Sequence, residues 1–203
     1  MKRALYHRAG RKAIARASQS TGKPMNHLSQ RLPILETERL RLQPLALSDA
    51  DLLFPIMSDA EVMAHWDVAE IDDPELIAQI VGSQVGDMQA GRAFYWALRT
   101  LVDGEFIGCC DLSDIDRWHK RAEVGFLLGK SAWGQGYALE AVGSVIAYAA
   151  SIGLRRLQAR THLGNRASES VLEKLGFKAE GLLRGYVLRD GERRDCRLFG
   201  LLL

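Results

Sequence analysis

Apolar and polar residues alternate over Glu38 to Pro44, the two-residue period of a half-buried strand, and Pro44 ends the run. Helical spacing follows over Asp49 to Met57, with Ser48 as N-cap candidate, and a short turn over Asp59 to Met63. A longer helix is predicted over Pro74 to Gln89, opened by Asp73 and closed by Gly91. Ala93 to Thr100 and Phe106 to Leu112 read as strands joined at Asp103-Gly104, the strongest hairpin signal in the chain. After a polar loop over Asp114 to Lys120, the apolar run Ala122 to Leu128 predicts a strand and Tyr137 to Ser151 a helix with Gly153 at its C-cap. A strand over Arg156 to His162, a helix over Asn165 to Leu175 ended by Gly176, and a strand pair around Asp190-Gly191 complete the pattern. The last two strands cover Lys178 to Leu188 and Arg193 to Leu203. This order predicts an α/β (α+β) domain with a mixed, mostly antiparallel, twisted sheet of about seven strands. The strands over 122–128 and 156–162 are joined through a helix and are expected to be parallel.

The turn Ser131-Ala132-Trp133-Gly134-Gln135-Gly136-Tyr137-Ala138 lies between a strand and a helix. The first amides of a helix have no internal partner and the helix dipole favours an anion there. Gly134 and Gly136 let the chain turn tightly and let an anion approach. Three phosphate motifs compete. The dinucleotide fingerprint G-x-G-x-x-G fails because Leu139 stands where glycine or alanine is needed. The P-loop finds its end in Gly129-Lys130-Ser131, but its first glycine would fall at Val124. The third is the acetyl-CoA loop Q/R-x-x-G-x-G/A, whose last two fixed positions are met by Gly136 and Ala138.

With Trp133 in place of Gln or Arg, that loop resembles the RimJ/RimL-type subgroup of the GNAT N-acetyltransferases. A second block strengthens the resemblance: Asn165-Arg166-Ala167-Ser168, then Val171 to Phe177, then Glu180-Gly181, beginning 29 residues after Gly136. Glu38 to Pro44 also resembles the T-E-R-L-x-L-R-P opening of the subgroup. The resemblance covers roughly 35–203. It implies the GNAT fold, with helices on both faces and the two parallel strands splayed around the CoA site. It implies acetyl-CoA as co-substrate and transfer to a primary amine, a protein or peptide N-terminus or a small amine, by direct attack in a ternary complex. Phe126, Leu127, Leu128, Trp133, Gly134, Gln135, Gly136, Tyr137 and Ala138 would hold the cofactor. Asn165 would contact the pantetheine arm and Ser168 would lie near the sulfur as general acid. Two other readings stay open: a CoA-binding regulatory module without activity, and a nucleotide-binding enzyme using Gly129-Lys130-Ser131.

Acyl transfer to an amine needs a base for the amine and a hydrogen bond for the oxyanion. Glu123 is the base candidate, because it is charged within the otherwise apolar run Ala122 to Leu128. An unpaired buried carboxylate is costly, so Glu123 must face a cleft or solvent, or pair with a neighbour such as Arg121. Facing a cleft, burial would make it a stronger base. His65, Trp66, Trp96 and Tyr186 are candidates for lining the acceptor cleft. His7, His27, His65, His119 and His162 show no metal-ligand spacing, and no metal is expected.

Charge divides the chain. Residues 1–31 hold eight basic and no acidic residues, leaving 19 of the 27 basic and all 25 acidic residues for the remainder, a balance of −6. The remainder, 32–203, is read as the acetyltransferase domain. Its acidity argues against direct nucleic-acid binding and suits a cationic acceptor. The segment 1–31 reads as a poorly ordered extension with no secretory apolar core, and Met25 is an alternative start. No run approaches the ~18 apolar residues that span a bilayer. Cys109, Cys110 and Cys196 read as reduced thiols. A cytoplasmic monomer or homodimer is expected.

Overall fold

The computed structural model describes residues 32–203. The expected extension, 1–31, lies outside them. The strands are β1 (Leu35–Glu36), β2 (Leu40–Pro44), β3 (Phe94–Thr100), β4 (Phe106–Asp116), β5 (Arg121–Leu128), β6 (Arg156–His162), β7 (Lys178–Arg189) and β8 (Glu192–Leu202). The helices are α1 (Ala50–Met57), α2 (Ala60–Met63), α3 (Pro74–Gln89), α4 (Tyr137–Ser151) and α5 (Arg166–Lys174). One mixed sheet of eight strands runs β1-β2-β3-β4-β5-β6-β8-β7. Every neighbouring pair is antiparallel except β5 and β6. The eighth strand is β1, too short to leave a period in the sequence.

Side chains of β3 show how the two faces are filled. Phe94, Trp96 and Leu98 point into a core built with Ala141, Val142, Val145 and Ala149 of α4 and Leu172 of α5. Ala97 and Tyr95 point the other way, toward Leu53 and Ile56 of α1 and Ile77, Ile80 and Val81 of α3. Burying an aliphatic side chain of this size stabilises the fold by about 2 kcal/mol.

Local capping sets where the helices start. The Asp73 carboxylate accepts from the Glu75 amide at 2.9 Å with Pro74 in the first turn, and Asp59 accepts from Glu61 at 2.8 Å. Ser48 does not cap α1. A short 3₁₀ turn, Leu47–Asp49, precedes it, and the buried Asp49 reaches back to the Ala46 amide at 2.9 Å while holding Arg99 at 2.6 Å. The polar stretch 114–120 is partly strand: β4 continues to Asp116 through a bulge between Ser113 and Asp116.

Candidate active site

Parallel pairing of β5 with β6 covers only Arg121↔Arg156, Ala122↔Leu157 and Glu123↔Gln158. Beyond that point the strands part, and a cleft of about 730 Å³ opens. Val124, Gly125 and Phe126 line it from β5 and Ala159 to His162 from β6. It continues past Asn165, Ser168 and Leu172 on one side and past His65, Trp66, Asp67 and Tyr186 on the other. Asp111 and Ser113 of β4 and Gln84 and Asp87 of α3 also line it.

The glycine turn sits at the far end of β5. Gly134 and Gly136 have φ of 73° and 81°, the left-handed region that glycine enters without strain. Gly136 is the N-cap of α4, and no side chain caps the helix. The first helical bond runs from the Glu140 amide to the Gly136 carbonyl, so the amides of 137–139 precede it. Arg39 fixes the turn: it donates to the Gln135 carbonyl at 2.9 Å and to Glu140 at 2.7 Å, and lies 4.7 Å from the Tyr137 ring centre. The Thr37 hydroxyl also donates to Glu140. Thr37 and Arg39 come from the Thr-Glu-Arg-Leu opening, which the sequence marks as a motif without revealing this contact. From Glu123 to Leu128 the strand rises five residues at about 3.3 Å each, roughly 17 Å. A ligand that uses both the turn and the splay must carry its anion and its reactive end that far apart.

Glu123 is 8% exposed, and both its carboxylate oxygens are engaged. Arg160 Nε donates to one at 2.7 Å and Gln158 Nε2 to the other at 3.0 Å. Its partner is therefore Arg160 on β6 and not Arg121, which pairs instead with Asp116 at 3.4 Å. Tyr186 is 52% exposed, and Arg160 stacks 4.9 Å from its ring centre. Opposite, buried His162 holds Asp67 at 2.9 Å, and that hydrogen bond keeps the Asp67 carboxyl below the usual carboxylate range. Burial and the positive charge of nearby groups hold the His65 imidazole below its ordinary value. Buried Arg189 of β7 donates through Nη1 to the carbonyls of Met63, Ala64 and Trp66, at 2.6, 3.0 and 3.1 Å. That clamp pins the segment carrying His65, Trp66 and Asp67 against the sheet.

The expected site residues therefore divide. His65, Trp66, Glu123, Phe126, Asn165, Ser168 and Tyr186 meet at the cleft. Trp133 to Ala138 stand apart from its lining as a separate turn. Trp96 corrects the expectation: it is 0% exposed, packed against Phe94 and Tyr148, with its indole donating to the Pro33 carbonyl at 3.1 Å. The alternation of β3 sends it to the α4 face, while its neighbour Tyr95 lines the cleft. Leu127 and Leu128 are buried on opposite faces, so only their backbone could meet a ligand, and the Leu128 carbonyl already accepts the Trp133 indole at 2.9 Å. Asn165 caps α5 by accepting from the Ser168 amide at 3.1 Å, which leaves its NH₂ for other partners. Cys196 lines the cleft, but burial pushes its thiol up to about 11, too high for a nucleophile at neutral pH. Among the described residues, no group of three His, Cys, Asp or Glu is placed to hold a metal ion, and no helix is long and apolar enough to cross a membrane.

Asp111, Arg160, His162 and Arg189 were not anticipated. For Asp111 the signal was present. A carboxylate inside Phe106 to Leu112 meets the same criterion that marks Glu123 inside Ala122 to Leu128. Arg160 and His162 alternate along β6 toward the cleft, but nothing local says what they face.

Residues 39–178 match the family model described as an acetyltransferase (GNAT) domain. The chain belongs to the GNAT acetyltransferase family. It is 35% identical over 170 residues, 83% of this chain and 95% of the relative, to the uncharacterized N-acetyltransferase p20 of Bacillus licheniformis. It is 33% identical over 113 residues, 55% of this chain and 58% of the relative, to the [ribosomal protein uS5]-alanine N-acetyltransferase of Escherichia coli strain K12. The fold matches RimL, the ribosomal L7/L12 alpha-N-protein acetyltransferase solved with coenzyme A, at a TM-score of 0.75 and 20% identity, over 84% of this chain and 98% of that one. The expected family and sheet architecture are both borne out, and the chain is an N-acetyltransferase of the GNAT type.

Proposed function

We propose that the chain transfers an acetyl group from acetyl-CoA to a primary amine carried by a protein or peptide N-terminus or a small molecule. The observation that carries this is the separation of an uncapped glycine turn at a helix start, Gly134 to Ala138, from a polar cleft by the splayed length of β5. Pyrophosphate at the turn and a linear amide-bearing arm along the open edge of Val124 to Phe126 fit that spacing, with the thioester reaching the cleft. The acetyl group goes directly to the amine: the new C–N bond forms as the C–S bond breaks, and Ser168, which lines the cleft, gives the leaving thiolate its proton. Among the described residues, five carboxylates line the cleft, Asp67, Asp87, Asp111, Asp114 and Glu123, against Arg160 as the one Lys or Arg. That balance favours a cationic acceptor. The uS5-alanine relative acts on a protein amine, which places N-terminal amines first among acceptors to try. The three free cysteines suit a reducing compartment such as the cytoplasm.

The test is thiol release from acetyl-CoA across a panel of N-terminal peptides and small amines, with acetyl-CoA affinity measured by calorimetry alongside. Release with at least one amine is expected. Tight acetyl-CoA binding with release on none would favour the regulatory module, and ATP binding in preference to acetyl-CoA would favour a nucleotide enzyme.

A further inference from the structure

Two carboxylates stand on the same face of the splay, and their surroundings differ. Glu123 lies where β5 still pairs with β6, and Arg160 and Gln158 fill its oxygens. Using it as a base would place the incoming proton beside a fixed cation. Asp111 lies one strand over, on β4, in register with Gly125. Gly125 is two residues past Glu123, where β5 has already left β6. The carboxylate of Asp111 reaches across β5 through the space that Gly125 leaves: a Cβ there would sit 2.5 Å from Asp111 Oδ1 and 3.2 Å from its Cγ. Gly125 and Asp111 both line the cleft. The notch therefore presents a carboxylate at the open stretch of β5, where the arm of the acyl donor would run.

Resting on the acetyl-transfer reading above, we propose that Asp111, seated in the Gly125 notch, is the group that takes the proton from the acceptor amine, while Glu123 is a positioning residue that fixes Arg160. The amine nitrogen attacks the thioester carbonyl carbon, its proton passes to an Asp111 oxygen, and the C–S electron pair leaves with sulfur. Asp111 is suited to that exchange. Burial pushes its carboxyl up to about 7, with Glu123 and Asp114 adding to the rise and a hydrogen bond with Ser113 and the charge of Arg160 opposing it. A base poised near neutral pH combines the deprotonated form with useful basicity. The groups facing the same space are Ser113 and Asp114 on β4, Tyr95 on β3, Glu123 on β5, Arg160 and His162 on β6, Asp87 on α3, Tyr186 on β7, Cys196 on β8, and His65 and Asp67 on the clamped segment. Of these, Arg160 is spoken for by Glu123, and His162 by Asp67.

The experiment compares wild type, Asp111→Asn, Gly125→Ala and Glu123→Gln in pH–rate profiles with one accepted amine, with acetyl-CoA affinity and carboxyl NMR of aspartate-labelled protein as second readouts. Asp111→Asn is expected to lower turnover at pH 7 by about 10²-fold or more, the usual share of a general base. The loss should shrink toward pH 9 as the amine deprotonates itself, and acetyl-CoA affinity should stay within twofold. Gly125→Ala keeps the carboxylate but fills its notch, and is expected to lower turnover with the same pH dependence. The wild-type spectrum should contain an aspartate resonance titrating near pH 7 that Asp111→Asn removes. An Asp111→Asn profile parallel to an active wild type, or recovery at high pH in Glu123→Gln alone, overturns the assignment of Asp111 and leaves acetyl transfer standing. A wild type that binds acetyl-CoA and transfers to no amine overturns both.

Discussion

The two ends of β5 are built on different principles. At the Gly136 end the groups on offer are the backbone amides that precede the first helical bond, and the residues that shape them are contiguous from Trp133 to Ala138. At the Glu123 end the cleft is lined by side chains from β3 to β8, α3, α5 and the segment at 65–68. A backbone site asks only for a turn, two glycines and a helix start, so it tolerates variation in side chains. A side-chain site depends on every ion pair that orients it. Substitutions at the two ends should therefore fail differently.

The largest effect is expected at the side-chain end. Arg160→Met leaves the Glu123 carboxylate buried with its cation gone. Removing one partner of a buried pair costs about 3 to 5 kcal/mol, and the partial exposure of Arg160 puts this case at the low end. At about 2 to 4 °C per kcal/mol for a chain of this size, the melting temperature should fall by roughly 6 to 12 °C. Adding Glu123→Gln should restore much of it. Additive losses in the double variant would show that the two residues do not act as a pair.

Next comes the backbone end. Gly136→Asp adds a negative side chain at the turn proposed to hold the anion, at a residue with φ of 81°. Acetyl-CoA affinity should fall more than tenfold, above ~1.4 kcal/mol. The melting temperature should move less than the binding energy does. Unchanged affinity in a folded Gly136→Asp protein would detach the turn from cofactor binding and end the contrast between the two ends.

The smallest effect concerns stability alone. The Asp111 carboxyl is raised from 3.8 to about 7 in the folded chain, so between those values the folded state holds a proton that the unfolded state has lost. Stability present below about pH 4 is then lost as pH rises toward 7. Asp111→Asn removes that loss, and should raise stability at pH 8 by about 1 kcal/mol, discounted because the group is partly exposed, with the gap closing near pH 4. A melting curve shifted equally at both pH values would mean that Asp111 does not titrate between them.

The alternation over 38–44, the caps at Asp59, Asp73 and Asn165, the Asp103-Gly104 hairpin and the glycine turn are all set by neighbours within a few residues. That is why strands, helices and the glycine turn are legible in the sequence. Trp96 shows the limit: an aromatic in a strand is visible, but which face it takes depends on where α4 packs. The same holds for Glu123, whose charge inside an apolar run marks it, while its partner Arg160 lies 37 residues on and meets it only because β5 and β6 are parallel neighbours. Asp111 and Gly125 come together through the antiparallel register of β4 and β5. The insertion of β8 between β6 and β7, the parting of β5 from β6 after Glu123, and the clamp of Arg189 on the segment bearing His65 are likewise long-range pairings. Local sequence determined the elements and the glycine turn. Tertiary structure decided which carboxylate is tied to a cation and which is left open to the cleft, because an ion pair is a property of two positions that the chain brings together only on folding.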